Sequence, residues 1–216
     1  MAIIRRTTSP LCCQLAVLIL LLLISIVAVA PAAQAVDEEM EMDEEPMTTA
    51  MGECANPVSV EEACRGASET HAGVAYDHCV ASLAADPRSQ DKAEAGTMHG
   101  LAMLATKQAI DHAASTEAKI DDLAELVEGD PQVRARFDHC LEQYGGAADL
   151  LRNALDNLKA RIYGKAMEQL AAALGASESC EDAWKGAESG GIPVAAHDRE
   201  YGRMAHIALG FTHAAA

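Results

Sequence analysis

The residues of this chain best equipped for nucleophilic or metal chemistry are seven cysteines and eight histidines. A thiolate beside an imidazole can attack a carbonyl, and clustered Cys and His side chains can hold zinc tetrahedrally. The spacing here fits neither. The histidines are scattered, and no His-x-x-x-His pair would stand on one helix. His139 adjoins Cys140, but Cys140 and Cys180 each lie on an amphipathic stretch and read as a disulfide stapling a helical hairpin. An oxidised Cys140 is neither a nucleophile nor a zinc ligand. With no nucleophile–base constellation, a small hydrolase is disfavoured. The expectation is a chain with no catalytic residue, no metal and no cofactor, a rigid protein that works through its surface.

The leader agrees with that redox assignment. Arg5 and Arg6 precede an apolar run from Leu15 to Val29, and Ala33-Gln34-Ala35 is a small-x-small cleavage site. Residues 1–35 therefore read as a secretory signal peptide that takes Cys12 and Cys13 with it. A signal anchor is the other reading, but Pro31 ends the run and it is short for a membrane span. Residues 36–55 are acidic and without periodicity, and they read as a disordered spacer. Cys54, at its end, is an odd cysteine that is free or pairs between molecules.

The 216-residue chain carries a formal charge of −17, and loss of Arg5 and Arg6 would bring it to about −19. Such a surface repels nucleic acid and anionic membrane and suits either a basic protein partner or simple solubility. Half the residues are apolar but only 3% are aromatic. A core dominated by Ala and Leu favours close-packed helices over a sheet, and it leaves few aromatic platforms for sugars or bases.

The elements follow in order. Ser59-Val60-Glu61-Glu62 fits a capping box and starts a short helix reaching about Ala67. Tyr76 to Ala85 makes a second, stopped by Asp86-Pro87. Cys64 and Cys79 lie on this pair, and an oxidising destination allows a disulfide between them. From Ser89 to about Glu128 there is no proline, and Leu101, Leu104, Ile110, Ala113, Ile120, Leu123 and Val127 predict one long amphipathic helix. Asp130-Pro131 opens the next, with Val133, Phe137, Leu141, Tyr144, Ala148, Leu151, Leu155 and Leu158 inward. Tyr144 is expected in the core with its hydroxyl at the rim. Gly145-Gly146 interrupts the stripe and reads as close approach to a neighbour or a slight bend. After a tight turn at residues 161–164, a third long helix carries Ala166, Leu170, Ala173, Cys180, Trp184 and Ala187, with Trp184 expected to pack on the disulfide. A last helix, about Val194 to Ala214, turns Val194, Tyr201, Met204, Ala208 and Phe211 inward. The fold class is all-α: an up-down-up-down four-helix bundle with an N-terminal helical hairpin and two disulfides.

The cysteines and their flanks resemble the plant invertase and pectin methylesterase inhibitor family. The residues that carry the resemblance are Ala63-Cys64, Tyr76-Asp77-His78-Cys79-Val80-Ala81-Ser82-Leu83, Asp86-Pro87, Asp138-His139-Cys140-Leu141-Glu142-Gln143-Tyr144, Ala171-Ala172-Ala173-Leu174 and Ser179-Cys180-Glu181-Asp182. The wide Cys64–Cys79 spacing is similar to the subgroup of invertase-inhibitor relatives that includes pollen-allergen-like proteins. The resemblance implies disulfides Cys64–Cys79 and Cys140–Cys180 and an inhibitor domain over residues 56–216. It implies non-covalent inhibition of a secreted carbohydrate-active enzyme, with pectin methylesterase or acid invertase as the protein partner. It also implies a secreted, cell-wall location ahead of a vacuolar one.

In the resemblance, invertase inhibitors present a Pro-Lys-Phe motif from the turn between the second and third bundle helices. Pectin methylesterase inhibitors use the face of the helices. The turn here reads Lys159-Ala160-Arg161-Ile162-Tyr163-Gly164. Arg161 and Tyr163 are the nearest substitutes, and the missing motif tilts the expectation to pectin methylesterase. A secreted bundle with no inhibitory target, serving storage, signalling or defence, is the reading of another class. Candidate interface residues are Glu142, Asp149, Asp156 and Glu168 on the helix faces and Arg161, Ile162 and Tyr163 in the turn. Eight histidines, if all protonated, would move the charge from about −19 to about −11, so target binding is expected to vary between about pH 5 and pH 7.

Overall fold

A computed structural model describes residues 57–127, 129–187 and 191–216. The proposed leader, the acidic spacer and Cys54 lie outside the described residues. Among the described residues the elements are helical. They are α1 (Val60–Thr70), α2 (Tyr76–Ala85), a 3-10 turn (Pro87–Gln90), α3 (Lys92–Ala95), α4 (Met98–Glu125), α5 (Pro131–Lys159), α6 (Tyr163–Trp184) and α7 (Ala195–Ala215).

The hairpin starts as its sequence dictates. Ser59 Oγ accepts from the Glu62 amide at 3.2 Å, and Glu62 Oε2 accepts from the Ser59 amide at 3.1 Å. Two orphan donors of the first turn are thereby satisfied. The Cys64–Cys79 disulfide then joins two helices too short to persist alone. The hairpin rests on α7 and α4. Asp86, at the end of α2, accepts from Arg88 and from Gln108 Nε2 (2.9 Å), and Arg88 reaches on to Asp111 at 2.8 Å. These bonds hold Asp86 below the usual carboxylate range, with the Arg88 bond the leading cause, and tie the chain after the hairpin to α4.

The helix expected to run unbroken from Ser89 is divided. The 3-10 turn and α3 come first, and α4 begins only at Met98, after Thr97. Local chemistry explains the break. Asp86 and Asp91 side chains cap the two short pieces, and Thr97 Oγ1 accepts from the Gly100 amide at 3.0 Å. The Glu94 carbonyl lies so close to Gly100 that an added Cβ would sit 1.5 Å from it. Three local caps outcompete continuation of a helix whose apolar stripe starts only at Leu101.

Helices α4 to α7 form a ring in which each packs on two neighbours: α4 on α5 and α7, α6 on α5 and α7. Ala102, Ala105, Ala109 and Ala113 are fully buried along α4, and side chains this small permit close helix approach. Tyr144, Leu151, Leu158, Leu170, Tyr201, Met204 and Phe211 fill the space between the helices. Asp130 caps α5 by accepting from the amides of Gln132 and Val133, with Pro131 in the first turn. Arg134 donates to the Ala124 carbonyl at 3.0 Å, which satisfies an end group of α4 and fixes the α4–α5 corner. Cys140–Cys180 spans α5 and α6 with a Cα–Cα distance of 4.8 Å.

Two expectations about α5 need correction. The helix passes through Gly145-Gly146 without ending, but not because a neighbour crowds it. A Cβ on Gly145 would meet only Glu117 Oε1 at 3.7 Å, and one on Gly146 would meet nothing. Gly146→Ala should therefore raise the unfolding free energy by about 1 kcal/mol, since the glycine carries only its entropic cost. The check is a shifted denaturant midpoint with an unchanged m-value. The Tyr144 hydroxyl is not at the rim. It is fully buried and donates to Asp198 Oδ1 on α7 at 2.5 Å.

Candidate inhibitory surface

The described residues assemble no catalytic set. No group of three or more His, Cys, Asp or Glu side chains among them could hold a metal ion. His139 donates to or accepts from Ser179 Oγ at 3.0 Å, a polar brace beside the disulfide. What the fold does present is a surface on α5, α6 and their connection.

The connection closes as a Schellman motif. Arg161 N–H donates to the Leu158 carbonyl and Ile162 N–H to the Asn157 carbonyl, both at 2.8 Å. The motif needs a left-handed residue after the helix, a place usually filled by glycine. Here Arg161 takes it, with φ 56°. That backbone choice costs a non-glycine residue roughly 1 kcal/mol. Arg161 Nη1 donates to Tyr163 Oη at 3.2 Å, and Tyr163 Oη lies 3.1 Å from His99 Nδ1 at the start of α4. Burial, then the Arg161 charge, holds the His99 pKa below its ordinary value. Tyr163 is the first residue of α6 and half-buried, while Ile162 is 46% exposed. The turn is shorter than expected: Tyr163 and Gly164 already belong to α6.

Glu142, Asp149 and Asp156 are exposed, and their spacing of seven places them on one face of α5. Asp149 pairs with Arg152 and Asp156 with Lys159, each at 2.8 Å. These are surface pairs within one helix and leave the carboxylates exposed. Glu142 follows Leu141, which lines a shallow groove of about 420 Å3 with Ala114, Glu117, Ala118 and Asp121 of α4. The α5 acidic row stands two residues, about 200°, from the buried stripe of Tyr144, Leu151 and Leu158, and so looks outward. Glu168 is exposed on α6, the neighbour on the other flank of α5, where Asn157 Nδ2 donates to Gln169 Oε1 at 2.8 Å. The candidate residues thus fall into an acidic row, a turn cluster and a separate Glu168.

Sequence reasoning missed His99 and Asp198. Nothing near His99 in the chain signals that its ring meets Tyr163. Asp198 is fully buried where α5, α6 and α7 meet and accepts from Tyr144 Oη and from Ser177 Oγ (3.0 Å). Its position three residues before Tyr201 on the inward stripe was the available signal. Burial, the leading cause, and nearby Glu181 push its pKa up, although the Tyr144 and Ser177 bonds oppose them. Tyr144 and Tyr201 stack edge to face at 5.1 Å around it. Trp184 packs on Phe137, edge to face at 4.9 Å, beneath Arg136.

The described residues thus form a helical bundle clamped by two disulfides, with a buried polar bolt between three of its helices. The comparisons say which proteins share it. Residues 58–210 match the model of the plant invertase/pectin methylesterase inhibitor family, and the chain belongs to that family. A Platanus acerifolia protein named "Putative invertase inhibitor" is 29% identical over 155 residues, covering 71% of this chain and 83% of its own. A pectinesterase inhibitor of Actinidia deliciosa is 29% identical over 122 residues, covering 56% and 62%. The crystal structure of a pectin methylesterase inhibitor from Arabidopsis thaliana superposes with TM-score 0.51 at 19% identity, covering 72% of this chain and 97% of that one. A mutant form from Arabidopsis gives TM-score 0.55 at 20% identity, covering 64% and 88%. The family marks the chain as a proteinaceous enzyme inhibitor, and the likeness to the two structures shows its helical fold.

Proposed function

We propose that this chain is a secreted inhibitor of a plant pectin methylesterase, docking the outer faces of its bundle helices over the enzyme's cleft. The carrying observation is the α5–α6 turn. It is closed within three residues, and the Tyr163 hydroxyl is tied back to His99 and Arg161. A turn drawn in this way offers little to insert into a deep active site. The acidic row Glu142, Asp149 and Asp156 is the broader exposed feature and would meet a basic rim. Two disulfides fit an oxidising destination and support the secretory reading of residues 1–35. Residues 56–216 would form the inhibitor domain after the acidic spacer, and the cell wall is the proposed location.

Acid invertase is the second reading. The half-exposed Ile162 beside Arg161 favours it, as does the name of the Platanus relative. Titrating the mature protein separately against plant pectin methylesterase and acid invertase separates the two. The expected result is stoichiometric loss of esterase activity with invertase untouched. Loss of invertase activity alone assigns the turn instead, and loss of neither returns the chain to a non-inhibitory bundle. Inhibition should also weaken as salt rises to about 0.15 M, where screening shortens to ~8 Å, because acidic residues would act mainly on the encounter rate. An interface of the usual size, roughly 1,600 Å2, would span both the row and the turn.

A further inference from the structure

We propose that the joint between the N-terminal hairpin and the bundle is a histidine latch, closed near neutral pH and released by mild acid while the bundle stays folded. Two contacts remote in sequence meet at this joint. His71, which ends α1, places Nε2 3.1 Å from Nδ1 of His206 on α7. His78 on α2 places Nε2 3.4 Å from Glu200 Oε2 on α7 and 3.2 Å from Ser82 Oγ.

At 3.1 Å the His71–His206 pair holds one proton well, as an N–H···N bond. It cannot hold two, because both facing nitrogens would then be donors. Nor can the His206 ring simply turn aside. Gly73 lies against it so closely that a Cβ there would sit 2.2 Å from Nδ1. The groups facing the pair from other elements are few: Glu178 of α6 favours protonation of His206, and His71 opposes it. Burial, then His71, leaves His206 below its ordinary pKa. His78 faces Glu200 and Arg203 of α7 and His112 of α4. Burial outweighs the Glu200 attraction, and its pKa is lowered too. The rest of the seat does not change charge in mild acid: Gln108 of α4 donates to the Ser82 carbonyl and to Asp86, whose pKa is lowered. Gly210 of α7 receives Val74 and Ala67, with a virtual Cβ 3.3 and 3.4 Å from them.

Linkage gives the consequence. In the open joint each imidazole titrates near its usual ~6.5, whereas the closed joint refuses at least one proton. Below that pH the opening constant rises with a slope that approaches tenfold per pH unit for each proton refused, about fivefold over the first unit. The Cys64–Cys79 bridge keeps the hairpin intact when it lifts. Release therefore exposes the Gly210 seat of α7 without unfolding α5 and α6.

Amide hydrogen exchange on the whole mature protein tests the latch, with intrinsic rates corrected for pH. Between about pH 6.5 and 5.5, amides in residues 60–85 that exchange through joint opening should lose about fivefold in protection for one proton refused. Those of α5 and α6 should not change. His71→Gln, which keeps a polar side chain but does not titrate, should flatten the slope. A flat wild-type slope, equal loss of protection in α5 and α6, or an unaltered slope in His71→Gln each overturns the proposal. The wild-type measurement decides without the variant, and none of these results depends on which enzyme is inhibited.

Discussion

Replacing Cys140 and Cys180 together with alanine is expected to lower the unfolding free energy by about 4 kcal/mol, the chain-entropy value for a closed loop of this length. The bridge joins residues 40 apart in sequence and encloses most of α5, the whole turn and most of α6. Without it the unfolded chain regains the freedom of that loop, while the folded chain keeps its packing and loses two buried sulfurs. In a domain of this size the midpoint of thermal unfolding should fall by about 8–16 °C. The corresponding pair at Cys64 and Cys79 closes a shorter loop, 15 residues apart, and should cost about 3 kcal/mol. Thermal and denaturant melts of the two double variants check both the size and the order. Equal losses, or a larger one at the hairpin, would place the main clamp elsewhere.

Asp198→Ala should cost about 3–5 kcal/mol. The side chain accepts from Tyr144 Oη and Ser177 Oγ, and its removal strands two buried hydroxyls at about 1–3 kcal/mol each, with a small cavity besides. Asp198→Asn should cost far less, because the amide oxygen still accepts from Tyr144 and the burden of a buried charge is gone. The two variants also differ in their pH response. Asp198 has its pKa raised in the folded chain, so the folded state holds this proton more tightly than the unfolded state does. Its contribution to stability grows as pH falls towards the ordinary value near 3.8 and is lost as pH rises through the folded pKa. Asp198→Asn removes that gain in acid. His78, His99 and His206 act the other way. Their folded pKa values are lowered, so their contribution is full above about 6.5 and declines as pH falls below it. Wild type should therefore keep more stability in acid than Asp198→Asn does, and their denaturant midpoints should diverge as pH drops. Parallel pH profiles would show that the Asp198 pKa is the same in the folded and unfolded states.

Much of the fold was legible because the strongest local signals agreed with the packing. Ser59 and Glu62 formed their capping box, Asp130-Pro131 started α5, and the stripes through Leu170 and Cys180 and through Tyr201 and Phe211 are buried where expected. Both disulfides join the expected cysteines. The break before α4 was not legible, since the apolar spacing carries no record of a carbonyl meeting Gly100. On α5, Leu155 is only half-buried while Ala154 takes the core position, a choice made by where α4 and α6 sit. The candidate surface was legible residue by residue but not as an arrangement. Spacing put Glu142, Asp149 and Asp156 in one row and Glu168 on the next helix, yet only the fold shows which neighbours flank that row and that Asn157 and Gln169 join the two helices.

The sequence by itself determined the helices, the cysteine framework and the family, because each rests on residues close in the chain or on a pattern along it. The tertiary structure alone decided that Arg161 takes a left-handed turn, that Tyr163 folds back onto His99, that Asp198 bolts three helices together and that His71 meets His206. Those contacts join residues up to 135 apart in sequence. Their chemistry comes from burial and approach, which no local pattern encodes.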